Sequence, residues 1–281
     1  MKTIYYLFAV LFLATSCDQI TGNYLENPTI NPDDTAKVWR NILLEDFTGY
    51  TCGNCPAAHE VAKQLTDTYK DRVIVVGIHA GNFAEPNPAH YYDFRTPEGN
   101  AYDQLFGNSQ AGLPNGLINR QKFSGSYITR HTKWASLVAA AIGQEADAAI
   151  TMHASYDDAT RKITVSGNLR YVKNSSANDY LCVVITEDSI VQYQKDYRKN
   201  PQDIPEYNHM HVFRGAITPT WGDKISATAI TANSKFDMNY TYVIPNDKDW
   251  NPANLNVVAY VYSKDKEYEV IQAKSVPVYR K

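Results

Sequence analysis

The chain predicts two successive parts, an α/β domain and then an all-β sandwich, and three observations carry that expectation. From Val38 to Ile142, short apolar runs alternate with stretches whose apolar residues recur at helical spacing. After about Gln144 the period changes to two, as it does in strands with one face buried. Turn-forming residues separate these later runs at short intervals, a pattern typical of a sandwich.

The elements follow in order. Met1 and Lys2 precede an apolar run, Ile4 to Ala14, and then Thr15, Ser16 and Cys17, which is the layout of an export signal. The run is well short of the roughly 20 residues a membrane-crossing helix requires. Residues 1–16 are therefore expected to be a signal peptide. The pattern resembles a bacterial lipoprotein signal, which implies cleavage before Cys17 and a lipid anchor on its sulfur; an ordinary secretory signal cut after Ser16 is the alternative. Residues 17–36, with Asn23, Asn27, Pro28, Asn31, Pro32, Asp33 and Asp34, read as a tether.

In the α/β part, residues 37–145, Ile42 to Phe47 is a strand of buried type and Ala58, Val61, Ala62, Leu65 and Tyr69 mark a helix. Val73 to Ile78 is a second strand. Asn82 to Gly99, with three prolines, is a long loop, and Ala101 to Phe106 a short helix. Leu117 and Ile118 belong to a third strand, and Trp134, Leu137, Val138, Ala141 and Ile142 to a closing helix. In the second part, residues 146–281, Ile163 to Tyr171 and Phe236 to Ile244 alternate as strands, and Asp157 to Thr160 reads as a hairpin turn. Leu255 to Tyr262 pairs through Ser263 to Lys266 with Tyr268 to Ala273. Gln192 to Tyr207 has no periodicity of its own and reads as a long loop.

Net charge is −3, with 27 basic and 30 acidic side chains, and no basic stripe is present, which argues against a nucleic-acid partner. Of four cysteines, Cys17 is assigned to lipid and Cys182 lies in the strand-like run Tyr180 to Thr186. Cys52 and Cys55 remain, in the run Cys52-Gly53-Asn54-Cys55-Pro56 between a strand and a helical pattern. A helix starting on the first cysteine would stabilise its thiolate through unpaired backbone N–H groups, with the second sulfur near enough to resolve a mixed disulfide.

The α/β part resembles the thioredoxin fold. Asp46, six residues before Cys52, stands where thioredoxins carry a buried proton-relaying acid, and Gly112 to Ile118 resembles the segment that places a cis-proline beside the disulfide. The resemblance implies that Cys52 attacks, Cys55 resolves, Asp46 relays a proton, and Leu113-Pro114 shapes a groove for substrate peptide. Tyr50-Thr51 stands where thioredoxins usually have tryptophan before the first cysteine, and no lysine or arginine lies in the site segment. The reading therefore fixes no direction for the redox chemistry.

Taken together, Leu43 to Pro56, Thr186 to Val191, His209 to Arg214, Trp221 to Asp223 and Val270 to Ala273 are similar to the twenty-eight-kilodalton outer-membrane lipoprotein family of Bacteroides-type bacteria. That resemblance implies an α/β thioredoxin-like domain followed by an immunoglobulin-like all-β sandwich, held on the outer membrane by lipid. The function it favours is thiol–disulfide exchange, with thiols or disulfides of exported proteins as partners and no cofactor. A non-catalytic surface binding or adhesion protein with a structural Cys52–Cys55 bond is the alternative.

His209, His211 and Arg214 are further binding candidates. On a strand the two histidines would share a face and, with Asp188 or Asp223, could ligate a metal, but three converging ligands are not evident and no metal is expected. A zinc site of Cys52, Cys55 and His59 lacks a fourth ligand at suitable spacing, and His59 reads as a solvated helix residue.

Overall fold

Strand β1 (Ile42–Thr48) is buried along its whole length, which puts it inside a sheet covered on both faces. It pairs in parallel with β2 (Val73–His79) and antiparallel with β3 (Asn115–Ile118), which leads to the short β4 (Thr129–Arg130). Helix α1 (Cys55–Tyr69) connects β1 to β2, as a parallel pair requires. Helix α2 (Pro97–Phe106) starts where Thr96 Oγ1 accepts from Gly99 N–H, and ends at Gly107 with φ +77°. Helix α3 (His131–Ala141) packs Trp134 and Val138 with Ala58, Ala62 and Leu65 of α1 against Ile42, Leu44, Val73 and Val75.

The chain continues through β5 (Ala148–Asp157), β6 (Lys162–Tyr171), β7 (Asp179–Glu187), β8 (Ile190–Lys195), β9 (Asp203–His209) and β10 (Val212–Ala216). The short β11 (Asp223–Lys224), β12 (Lys235–Val243), β13 (Leu255–Ser263) and β14 (Glu269–Arg280) complete it. This computed structural model describes residues 37–280; the expected signal peptide and tether, with Cys17, lie outside the described residues.

The expected pair of a thioredoxin-like α/β domain and a separate immunoglobulin-like sandwich is corrected by the sheet. Among the described residues one mixed sheet of twelve strands runs β12-β6-β5-β14-β13-β7-β10-β2-β1-β3-β4, with β11 beside β7. Strand β10 makes the junction, antiparallel to β7 and parallel to β2, where Val212 stands opposite Gly77 and Gly77 N–H donates to His211 O at 2.7 Å.

The reason lies in β7 and β13, which are buried on both faces. Leu181, Val183, Ile185, Val257, Ala259 and Val261 pack into the core of the later strands. Their alternates, Cys182, Val184, Val258, Tyr260 and Tyr262, pack with Leu43, Ile74, Val76, Tyr102 and Phe106 from the first half. Fully burying a large aliphatic or aromatic side chain contributes about 1.5–3 kcal/mol. A free-standing sandwich would leave that second face in water.

One buried ion pair braces the shared core. Arg120 Nε and Nη2 donate to Glu45 Oε2 and Oε1 at 2.8 and 2.6 Å, and Nη2 also donates to Tyr260 Oη at 3.0 Å. Tyr102, Phe106, Tyr260 and Tyr262 surround the guanidinium with ring centroids 5.1 to 5.6 Å away.

Candidate functional site: a covered disulfide beside a histidine-lined cavity

Cys52 and Cys55 form a disulfide with Cα atoms 5.4 Å apart. The turn bearing it begins as β1 ends: Cys52 N–H donates to Gly49 O at 3.0 Å, and Cys55 N–H to Cys52 O at 3.1 Å. Helix α1 begins at Cys55, behind Asn54 as cap and with Pro56 in its first turn. The helix therefore starts on the second cysteine, where the sequence alone predicted the first. Gly-Asn spends its residues on the turn, so the helical N–H groups open beside Cys55.

Leu113-Pro114 is a cis peptide. Phe47 pairs with Asn115 in the antiparallel β1–β3 register, so the preceding proline falls at the end of β1 from which the disulfide turn leaves.

Asp46 and Thr48 point from β1 toward α1. Asp46 is fully buried, Oδ1 has no hydrogen-bond partner among the described residues, and burial raises its pKa to about 8. His59, one helical turn after Cys55, approaches Asp46 Oδ2 with Nε2 at 3.9 Å. The same Nε2 meets Thr48 Oγ1 at 2.9 Å, and Nδ1 meets Tyr207 Oη at 2.8 Å. Burial first, then the neighbouring His209 and Arg198, push His59 down to about 3. The solvated helix histidine read from the sequence is thus a neutral, hydrogen-bonded one.

Beside this pair lies a cavity of about 460 Å³ between α1, β1, β2 and the β8–β9 hairpin, lined by Asp46, His59, His79, Tyr207, His209 and His211 among others. His79 ends β2, stacks on Phe94 at 4.4 Å, and neither ring nitrogen has a hydrogen-bond partner among the described residues. Desolvation by burial holds His79 and His209 below the usual histidine range, the latter at about 4. Burial keeps these imidazoles neutral at physiological pH, so among the described residues the one cationic side chain that lines the cavity beside them is Lys63 of α1.

The remaining candidates separate. His209 ends β9, buried, with Nε2 3.2 Å from Tyr193 O, whereas His211 follows in a left-handed turn, φ +57°, and pairs with Asp188 at 3.0 Å. The two therefore do not share a strand face, though both line the cavity. Arg214 is committed elsewhere: Nε donates to Glu187 Oε2 at 2.6 Å and Nη2 to Tyr92 Oη at 2.7 Å. Asp223 lies in β11, paired with β7, and accepts from Tyr240 Oη at 3.1 Å. Among the described residues no group of three or more histidine, cysteine or acidic side chains is arranged to hold a metal.

What the sequence reading missed is the cover. Gln192 to Tyr207, expected to be a loop, contains most of the β8–β9 hairpin, a two-stranded sheet separate from the main one. Its segment Gln194–Tyr197 crosses the disulfide turn. Lys195 N–H donates to Tyr50 O and Tyr197 N–H to Gly53 O, both at 2.8 Å, and Gln194 Nε2 donates to Cys52 O at 3.1 Å. A Cβ on Gly53 would meet the Tyr197 ring at 2.5 Å, so glycine is what allows this approach. Beneath it, Cys52 is 3% exposed and Cys55 0%.

Fold and site together define a β-rich protein that carries a covered CxxC disulfide next to a buried carboxyl and a cluster of neutral histidines. A family model described as outer membrane protein Omp28 matches residues 99–280, and the chain belongs to that family, which assigns it to the outer membrane. No helix among the described residues is long and apolar enough to cross a membrane.

Among solved structures, HBP35 of Porphyromonas gingivalis is 15% identical, with a TM-score of 0.59 over 86% of this chain and 76% of that one. A protein of Agrobacterium tumefaciens is 11% identical, with a TM-score of 0.51 over 86% and 96%. A domain of the outer membrane lipoprotein Omp28 from Porphyromonas gingivalis is 21% identical, with a TM-score of 0.32 over 48% and 91%. The first two show similarity of fold extending across both halves of the chain. No curated protein matches its sequence.

Proposed function

We propose that this protein is a lipid-anchored thiol–disulfide exchange protein of the outer membrane, acting on exported proteins through Cys52 and Cys55. The anchor is Cys17, as the lipoprotein-like signal implies. The observation that carries the reading is the buried, uncharged carboxyl of Asp46 on β1, which faces His59, the residue one helical turn after Cys55 on α1.

In the direction that starts from the disulfide, a partner thiolate attacks Cys52 Sγ and forms a mixed disulfide as the Cys52–Cys55 bond breaks. Cys55 leaves as a thiolate, and the Asp46 carboxyl, protonated at neutral pH, supplies the proton that leaving sulfur takes up. The partner's second thiolate then attacks its own sulfur in the mixed disulfide and expels Cys52 as a thiolate. Two electrons pass to the cysteine pair, and the partner leaves oxidised. The reverse sequence reduces a partner disulfide.

A second reading is favoured by one observation. The two sulfurs lie under the hairpin, and a disulfide so covered suits a structural role in a non-catalytic binding protein. The reduction potential separates the two. Equilibration in glutathione buffers should give a value in the range of exchange proteins, roughly −270 to −120 mV, with activity on a model disulfide lost in Cys52→Ser. A potential below about −300 mV, with no effect of Cys52→Ser on any exchange, would establish the structural reading instead.

A further inference from the structure

Gln194–Tyr197, the end of β8 and the start of the turn that follows it, lies on the disulfide turn, and its contacts there are ones another polypeptide could make. Two are backbone N–H groups donating to Tyr50 O and Gly53 O; the third is the Gln194 amide on Cys52 O. The segment is clamped from its sides. Arg198 forks onto Glu60 of α1 at 2.7 and 3.0 Å, Tyr207 bonds His59, and Tyr193 stacks on His90 at 3.5 Å.

The hairpin is joined to the main sheet by two tight turns. It leaves β7 through Ser189 and rejoins the main sheet at β10 through His211, both in left-handed turns with φ +60° and +57°. Its base is pinned by Asp188, which accepts from His211 N–H at 2.7 Å and from Asn256 Nδ2 at 2.9 Å. The only main-sheet strands it interrupts are β7 and β10, and these pair with each other directly. The main sheet therefore does not depend on the hairpin for its pairing, and what holds the hairpin down is its packing of Ile190 and Tyr193 against Tyr50 and Phe94 together with the contacts above.

We infer that the Gln194–Tyr197 segment is a built-in occupant of a polypeptide-docking surface on the CxxC turn, and that a segment of a partner protein displaces it to reach Cys52. This rests on the exchange reading for its chemistry, but the docking itself does not. The partner it fits is an unfolded or extended chain offering two N–H groups two residues apart, with a cysteine at the place of Gln194. A folded protein with no free strand would be excluded.

The test uses the octapeptide QYQKDYRK, residues 192–199, with a scrambled octapeptide as control. Hydrogen exchange of the Lys195 and Tyr197 amides is followed in the full protein and in its Tyr197→Ala and Arg198→Ala variants. The matched peptide should speed exchange of these amides at least several-fold, more so in the variants, while the scrambled peptide leaves them unchanged. Equal effects of the two peptides, or no effect of either in both variants, would overturn the docking surface.

The same peptide with Gln194→Cys is then offered to the oxidised protein, and its adduct with Cys52 is read by mass. The adduct should form at least ten-fold faster in the variants than in the unaltered chain. Displacement without any adduct would support the docking surface and overturn the exchange reading, so the two fail separately.

Discussion

Asp46 Oδ2 and His59 Nε2 face each other at 3.9 Å, and neither side chain is charged at neutral pH. Burial raises Asp46 to about 8 and lowers His59 to about 3, so desolvation outweighs the attraction an ion pair would give.

Stability should therefore peak near pH 6.5. Between pH 3.8 and about 8 the unfolded chain has released the Asp46 proton while the native state keeps it, so Asp46 makes stability fall as pH rises. His59 acts oppositely: its contribution is complete above pH 6.5 and is lost as pH falls toward 3, and His79 and His209 add to that rise. From pH 6.5 to 8 the Asp46 slope stands alone and costs about 2 kcal/mol at about 1.4 kcal/mol per unit. Urea midpoints measured from pH 5 to 9 should decline over that upper interval in the unaltered protein and stay level in Asp46→Asn.

Exchange should depend on the same proton. If Asp46 protonates the leaving Cys55, Asp46→Asn slows disulfide opening by about 100-fold and removes the limb of the pH–rate profile near 8. Stopped-flow reduction by a dithiol across pH 6 to 9 checks this, and an unchanged profile would remove Asp46 from the chemistry.

Breaking the buried ion pair should be costly. Arg120→Ala leaves Glu45 without its two charge-assisted bonds inside an apolar core, a loss of about 3–5 kcal/mol. Calorimetry should register a Tm lower by roughly 10 °C. Arg120→Lys should recover only part of it, since an ammonium cannot make the forked contact.

Gly167 predicts a defect confined to the far end of the sheet. It pairs opposite Met152, and a Cβ there would stand 2.0 Å from Thr151 O. Gly167→Ala should cost about 1–3 kcal/mol in denaturant melts through overpacking, with the rate of disulfide reduction by dithiothreitol unchanged.

Cys182 should be silent in thiol assays. It is buried, and desolvation pushes its thiol up to about 12. Peptide mass mapping after iodoacetamide at pH 8 should find it unmodified in the native protein and modified after denaturation.

Local pattern carried a good deal of this architecture. The apolar run of β1, the helical spacing of Val61, Ala62, Leu65 and Tyr69, and the alternation of Ile163 to Tyr171 each read correctly because their neighbours in sequence are enough to set a period. The hairpin of β8 and β9 could not be read that way. Few of its side chains are buried, and it is held by carbonyls of the disulfide turn and by Glu60 and His59, more than a hundred residues earlier.

By itself, the sequence determined the Cys52–Cys55 spacing, the acid at Asp46, the strand and helix around them, and the alternating strands that follow. Tertiary structure alone decided that β7 and β13 serve two cores and so join both halves in one sheet, because an apolar strand does not encode how many of its faces find a partner. It also decided that His59 and His79 are neutral and that the disulfide is covered. Those properties depend on what excludes water from a side chain, and here the excluding residues are distant along the chain.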